Sequence, residues 1–376
     1  MARWSTVWGQ AHTDVLRLYP GKRQQTVRTV LPVGISGSKL RLRFANFEGN
    51  KTMGLSAVTV RLGDQPIRQI LFSGKTEALL LPNQDIYSDP LEILVERGTD
   101  ITISLAMNGC FSSGNTPNEV VQISKPGNYA HCLQMPLAGK SIHERLSGMS
   151  PVLPALTSVE VYSCEEVETI VCFGDSITRQ GHWTNPLREM LFQGGYPVQL
   201  VNKGIGGNRI LRDALTGAPR YGRSGMKRFR QDVLEQPGVS GVILAMGTND
   251  LGFANLDGKL ENSDADCLIR ALSELTNLAR EAKLQVYAAT VTPRVGSENW
   301  SEEKEIQRKK LNDWIQNSNC FDGVLDFDAV TRDSREPGVL APACDSGDHL
   351  HPGPMGGKRM AKEAYRVLTE NREKKD

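Results

Sequence analysis

Four short segments hold the residue types that acyl transfer from oxygen requires. They are Gly174-Asp175-Ser176-Ile177-Thr178, Asn202-Lys203-Gly204-Ile205-Gly206-Gly207-Asn208, Gly247-Thr248-Asn249-Asp250 and Asp348-His349-Leu350-His351-Pro352. A serine hydroxyl is a poor nucleophile at neutral pH. It needs an imidazole to take its proton, a carboxylate to orient that imidazole, and donors aimed at the developing oxyanion. In Asp348-x-x-His351 the three-residue offset lets one turn of chain bring the carboxylate back toward Nδ1, leaving Nε2 to face Ser176. The same register selects His351 over His349. The glycine run lets a backbone N–H approach a substrate with no Cβ in the way, and Asn249 offers a side-chain NH2.

These segments need elements to hold them. After residue 165, apolar strands alternate with amphipathic helical stretches, the grammar of βαβ units in a parallel sheet. The strands predicted are Thr169–Phe173, Val198–Asn202, Gly241–Met246, Leu284–Val291 and Gly323–Phe327. Ligands of open α/β sheets gather at the carboxyl ends of strands, where the four segments fall. Within 264–282, Leu268, Leu272, Leu275, Ala279 and Ala282 recur at helical spacing, as do Met360, Ala361, Ala364, Tyr365 and Leu368 in the last helix. The first part reads differently. TVRTVLPV, KLRLRF, SAVTVRL, LEILVE and ITISLAM alternate apolar and polar residues between turn clusters, which predicts an antiparallel β-sandwich. The proline-containing stretch 147–160 reads as a linker, which sets the division at 1–155 and 156–376.

The ordered set G-D-S-I, G-G-N, G-T-N-D and D-x-x-H resembles the motif blocks of the SGNH or GDSL hydrolase superfamily of serine esterases, over roughly residues 168–370. The resemblance implies Ser176 as nucleophile, His351 as base and Asp348 as its orienter. It also implies an oxyanion hole made of the Ser176 and Gly207 amides and the Asn249 side chain; Gly207 is chosen over Gly204 and Gly206 because it holds the glycine position of N-x-x-x-x-G. The fold implied is a three-layer α/β/α, flavodoxin-like hydrolase domain behind a jelly-roll-like β-sandwich. Within the superfamily, GDSIT, GIGGNR and FRQDVLEQPGVSGVILAMGTNDLG look like a two-domain branch of carbohydrate esterases. That branch implies removal of short acyl groups, chiefly acetyl, from a carbohydrate, with no cofactor and no metal. Two alternatives stand beside it: an esterase or lysophospholipase-type enzyme for longer acyl chains, and a glycan-binding protein with an inert hydrolase half.

Composition narrows the partners. With 44 Lys plus Arg against 43 Asp plus Glu, the net charge of +1 gives no electrostatic case for nucleic acid or an anionic membrane. The expected partner is a small acylated substrate such as an acetylated oligosaccharide, and homo-oligomerisation is left open. The seven cysteines include no C-x-x-C pair, and the first twenty residues lack the apolar run of an export signal; both features read as reduced thiols in the cytoplasm. Around the site, Arg209, Trp183 and Thr178 are candidate substrate contacts, Arg209 for acidic or polar groups and Trp183 for a sugar ring. The basic run of Arg209, Arg212, Arg220, Arg223, Lys227, Arg228 and Arg230 otherwise reads as a solvated face.

Overall fold

A computed structural model describes residues 2–15, 24–140, 151–215, 217–252 and 264–373. The chain forms two compact units, Met1–Val167 and Glu168–Asp376.

The first unit is a β-sandwich. One antiparallel sheet runs in the order β1 (Arg3–Gly9), β6 (Leu156–Ser163), β3 (Gly37–Ala45), with the short strands Asp85–Tyr87 and Leu91–Val95 both pairing β3. The other is centred on β5 (Asp100–Asn108), which pairs β2 (Gln25–Pro32) on one side and β4 (Met53–Leu62) on the other. Alternation explains why each sheet has an inner face. In β3, Leu40, Leu42 and Phe44 are fully buried, and they share a core with Val58, Val60, Ile101, Ile103 and Leu105 of the opposite sheet.

The predicted linker needs correction. Residues 147–150 lie outside the described residues, but Leu156–Ser163 is a central strand, paired with β1 through Val161↔Ser5 and with β3 through Val161↔Leu40. The boundary therefore falls at 167/168 and not at 155/156. Prolines 151 and 154 mark the approach to a strand, and the β-branched run after them finds partners more than a hundred residues away.

The second unit is built on a five-stranded parallel sheet: β7 (Glu168–Gly174), β8 (Val198–Gly204), β9 (Val239–Ala245), β10 (Gln285–Ala289) and β11 (Gly323–Leu325). Its order is β8-β7-β9-β10-β11, so the first strand of the unit lies between the second and third. Both faces are covered, which is why Ile170, Val171, Cys172 and Phe173 are buried without alternation. Helix α3 (Ala265–Glu281) turns Leu268, Leu272, Leu275 and Ala279 onto one face; α4 (Pro354–Glu373) covers the other with Met360, Ala361, Ala364 and Leu368. The chain reverses direction across the sheet beside β7. The strand ends there leave a crevice, the usual ligand position in such sheets.

Among the described residues no helix is long and apolar enough to cross a membrane. All seven cysteines are unpaired.

Candidate active site

The nucleophile turn follows β7. Gly174 ends the strand, Asp175 caps the short helix α1 (Ser176–Arg179) by accepting the Ile177 N–H at 2.9 Å, and Ser176 takes the first helical position. An N–H at that position has no acceptor inside its helix and is free to face a ligand. Gly174 tolerates no side chain, because a Cβ there would lie 2.0 Å from Thr178 Oγ1. Burial pushes the Asp175 carboxyl up to about 6, against the pull of the Ile177 amide.

The candidate base, His351, comes from the loop before α4. Ser176 Oγ lies 2.8 Å from His351 Nε2, and His351 Nδ1 lies 2.6 Å from Asp348 Oδ2. The carboxylate's other oxygen accepts backbone N–H groups from Leu350 at 3.0 Å and His351 at 2.8 Å. Partial burial raises the Asp348 carboxyl, but these amides and the imidazole outweigh it and hold the group down at about 2. An ionised Asp348 accepts only, so Nδ1 carries the proton and the lone pair of Nε2 faces the serine hydroxyl. A second pair sits in the same loop, His349 Nδ1 with Asp345 Oδ2 at 2.7 Å, but His349 takes no part in the serine contact.

The glycine turn follows β8. Gly207 has φ +71°, a left-handed conformation that costs a residue with a Cβ, and a Cβ there would lie 2.5 Å from the Tyr221 ring. Asn208 is fixed through Nδ2, which donates to the carbonyls of Tyr221 at 2.7 Å and Arg223 at 2.8 Å. From the end of β9, Asn249 Nδ2 donates to the Asn208 carbonyl at 3.0 Å. That bond uses one of its two N–H groups and leaves the other for a ligand. Asp250 ties the same loops together by accepting the Ile210 and Leu211 N–H groups at 2.9 and 3.0 Å, and burial raises its carboxyl to about 6.

The structure thus brings Ser176, His351 and Asp348 into one hydrogen-bonded chain and links Asn249 to the turn that carries Gly207. It does not place the three candidate substrate contacts on a surface. Trp183 is 0% exposed and packs on Phe327 with ring centroids 5.3 Å apart, so no face is left for a sugar. Thr178 is equally buried, behind Gly174. Arg209 is 5% exposed and donates to the Asp213 carbonyl at 2.5 Å.

The solvated-face reading of the basic run fails at two positions, Arg209 and Arg228. Arg228, in α2 (Gly225–Phe229), is 2% exposed and belongs to the structure beneath the site. Its sequence signals were Asp232 one turn on and the apolar neighbours Phe229 and Val233. Among the described residues no group of three or more His, Cys, Asp or Glu side chains is arranged to hold a metal ion.

In this sheet order the serine at the first strand end meets a histidine and an aspartate from a late loop. The chain belongs to the GDSL-like lipase/acylhydrolase family, whose model matches residues 172–359, half of its length. No curated protein matches it. Among solved structures it is similar to a putative lipolytic protein of the G-D-S-L family from Desulfitobacterium hafniense, at 23% identity over 53% of this chain and 99% of that one, TM-score 0.39. It is also similar to an acetyl xylan esterase from Geobacillus stearothermophilus, at 18% identity over 54% and 97% of the two chains, TM-score 0.41. A carbohydrate acetylesterase family member from Sinorhizobium meliloti matches at 16% identity over 55% and 99%, TM-score 0.42.

Proposed function

We propose that the protein is a serine esterase that removes short acyl groups, chiefly acetyl, from a carbohydrate alcohol. The observation that carries the reading is the chain Ser176 Oγ, His351 Nε2, His351 Nδ1, Asp348 Oδ2, with contacts of 2.8 and 2.6 Å. As Ser176 Oγ attacks the ester carbon, its proton passes to His351 Nε2 and the carbonyl oxygen becomes an oxyanion. The Ser176 N–H, the Gly207 N–H and the second N–H of Asn249 Nδ2 receive that charge. Collapse breaks the bond to the alcohol, which leaves with the proton from His351. Water then repeats the sequence on the acyl-serine, releasing the acid and restoring the hydroxyl.

The short-acyl preference rests on the sequence resemblance and not on the shape of a cavity. The carbohydrate preference rests on the sequence resemblance to the two-domain carbohydrate esterases.

Hydrolysis of p-nitrophenyl acetate and octanoate, with labelling by a fluorophosphonate, tests the reading. The acetate is expected to be the better substrate, with label on Ser176 and both signals gone in Ser176→Ala. Activity retained in Ser176→Ala overturns the assignment, and a preference for octanoate overturns the short-acyl part of it. Acetylated oligosaccharides followed by the loss of their acetyl NMR signals then test the carbohydrate.

A further inference from the structure

Arg228 is almost wholly removed from water, and a buried arginine is costly unless its charge and its donors are met. The charge is met by Asp232, whose Oδ2 takes Nη1 at 2.8 Å. Besides a contact from Nη2 to Met246 Sδ at 3.8 Å, three more bonds go to two of the chain segments that carry the candidate oxyanion donors, and one of these segments holds the third donor. Nη2 donates to the Gly174 carbonyl at 2.9 Å, two residues before Ser176. Nη1 also donates to the Lys203 carbonyl at 2.8 Å, in β8 just before the glycine run. Nε donates to Asn208 Oδ1 at 2.9 Å, next to Gly207, and the carbonyl of the same Asn208 holds Asn249 Nδ2. The guanidinium lies over the Phe173 ring at 4.0 Å, which fixes its plane.

The nitrogens of a guanidinium are separated by fixed distances in one plane. A fork that spans Gly174 on one segment and Lys203 and Asn208 on another therefore sets how far apart those two segments stand. An ion pair with Asp232 alone would need none of these three bonds.

We propose that Arg228 is a positioning residue for oxyanion stabilisation, its guanidinium setting the mutual placement of the Ser176 N–H, the Gly207 N–H and Asn249 Nδ2. It acts through backbone and Asn208 and touches no substrate. The inference rests on the serine-esterase reading above. Misplaced donors weaken binding of the transition state more than binding of the ester, so the loss falls on kcat.

Arg228→Lys keeps the charge but offers one nitrogen in place of the fork. In the full-length protein it is expected to lower kcat for p-nitrophenyl acetate by about 10- to 100-fold, with KM within about threefold of wild type. Circular dichroism and thermal melting verify that the variant is folded at the assay temperature. A folded Arg228→Lys with wild-type kcat, whatever its melting temperature, overturns the inference and leaves the esterase reading in place. An inactive, unlabelled wild type overturns that reading itself. Should Arg228→Lys fail to fold, the crystal structure of the wild-type Ser176 phosphonate adduct decides. The phosphonyl oxygen is expected within about 3.2 Å of all three donors with the Arg228 bonds retained. An oxygen that reaches only one donor, or none, overturns the proposal.

Discussion

Asp348 holds His351 at two points: Oδ2 meets the imidazole Nδ1 at 2.6 Å while Oδ1 accepts the backbone N–H of the same residue at 2.8 Å. One carboxylate thereby fixes both the chain and the ring it orients. An amide in its place has one accepting oxygen, and an NH2 turned toward Nδ1 favours the wrong tautomer. Asp348→Asn is expected to lower kcat by roughly a thousandfold with little change in KM, measured by steady-state hydrolysis of an acetyl ester. A loss below tenfold would mean that the pair does not orient the base.

The carboxylates around the site divide by pH. Asp348, held at about 2, adds stability that is present above its ordinary 3.8 and lost as pH falls through 2. Asp175 and Asp250, raised by burial to about 6, add stability that is present below 3.8 and lost as pH rises through 6. The margin in melting temperature of wild type over Asp250→Asn is therefore expected to be larger at pH 4.5 than at pH 7.5. A margin that grows with rising pH would contradict the assignment.

Asn249→Ala removes a candidate oxyanion donor and also leaves the buried Asn208 carbonyl without that partner. The expected result is a loss in kcat of about a hundredfold. Stability should fall by about 1–3 kcal/mol, read from denaturant unfolding. A kcat within threefold of wild type would remove Asn249 from the oxyanion hole.

Gly207→Ala meets two obstacles, the positive φ and the Tyr221 ring. The backbone strain alone is about 1–2 kcal/mol. Adding Tyr221→Ala is expected to recover the part due to the ring and not the part due to φ, so the double variant should melt between wild type and Gly207→Ala. Equal melting temperatures for the single and double variants would show that the ring imposes no constraint.

How much of this could be read from residues alone depends on where their partners lie. The loops that carry Ser176, Asn249, Asp348 and His351 were legible as segments beside strand ends, and the five parallel strands follow from apolar runs buried on both faces. Leu156–Ser163 was not. Its pairing with β1 and β3 is settled by strands far away in the chain, while the nearby prolines argued for a linker. Arg228 was hidden by its type, since an arginine in a basic run looks like surface until the carbonyls of Gly174 and Lys203 are seen to surround it. Trp183 illustrates the converse: an aromatic beside the Ser176 turn fills the core when a neighbour such as Phe327 is there to pack against.

The two contacts that join Ser176, His351 and Asp348 differ in chain separation: Asp348 and His351 are three positions apart, Ser176 and His351 175. On the ribosome, the nucleophile turn and the sheet around it are made long before the base exists. Helix α4, which covers one face of the sheet with Met360, Ala361, Ala364 and Leu368, follows His351 directly, so the candidate site and the cover of the sheet are completed by the same stretch of chain.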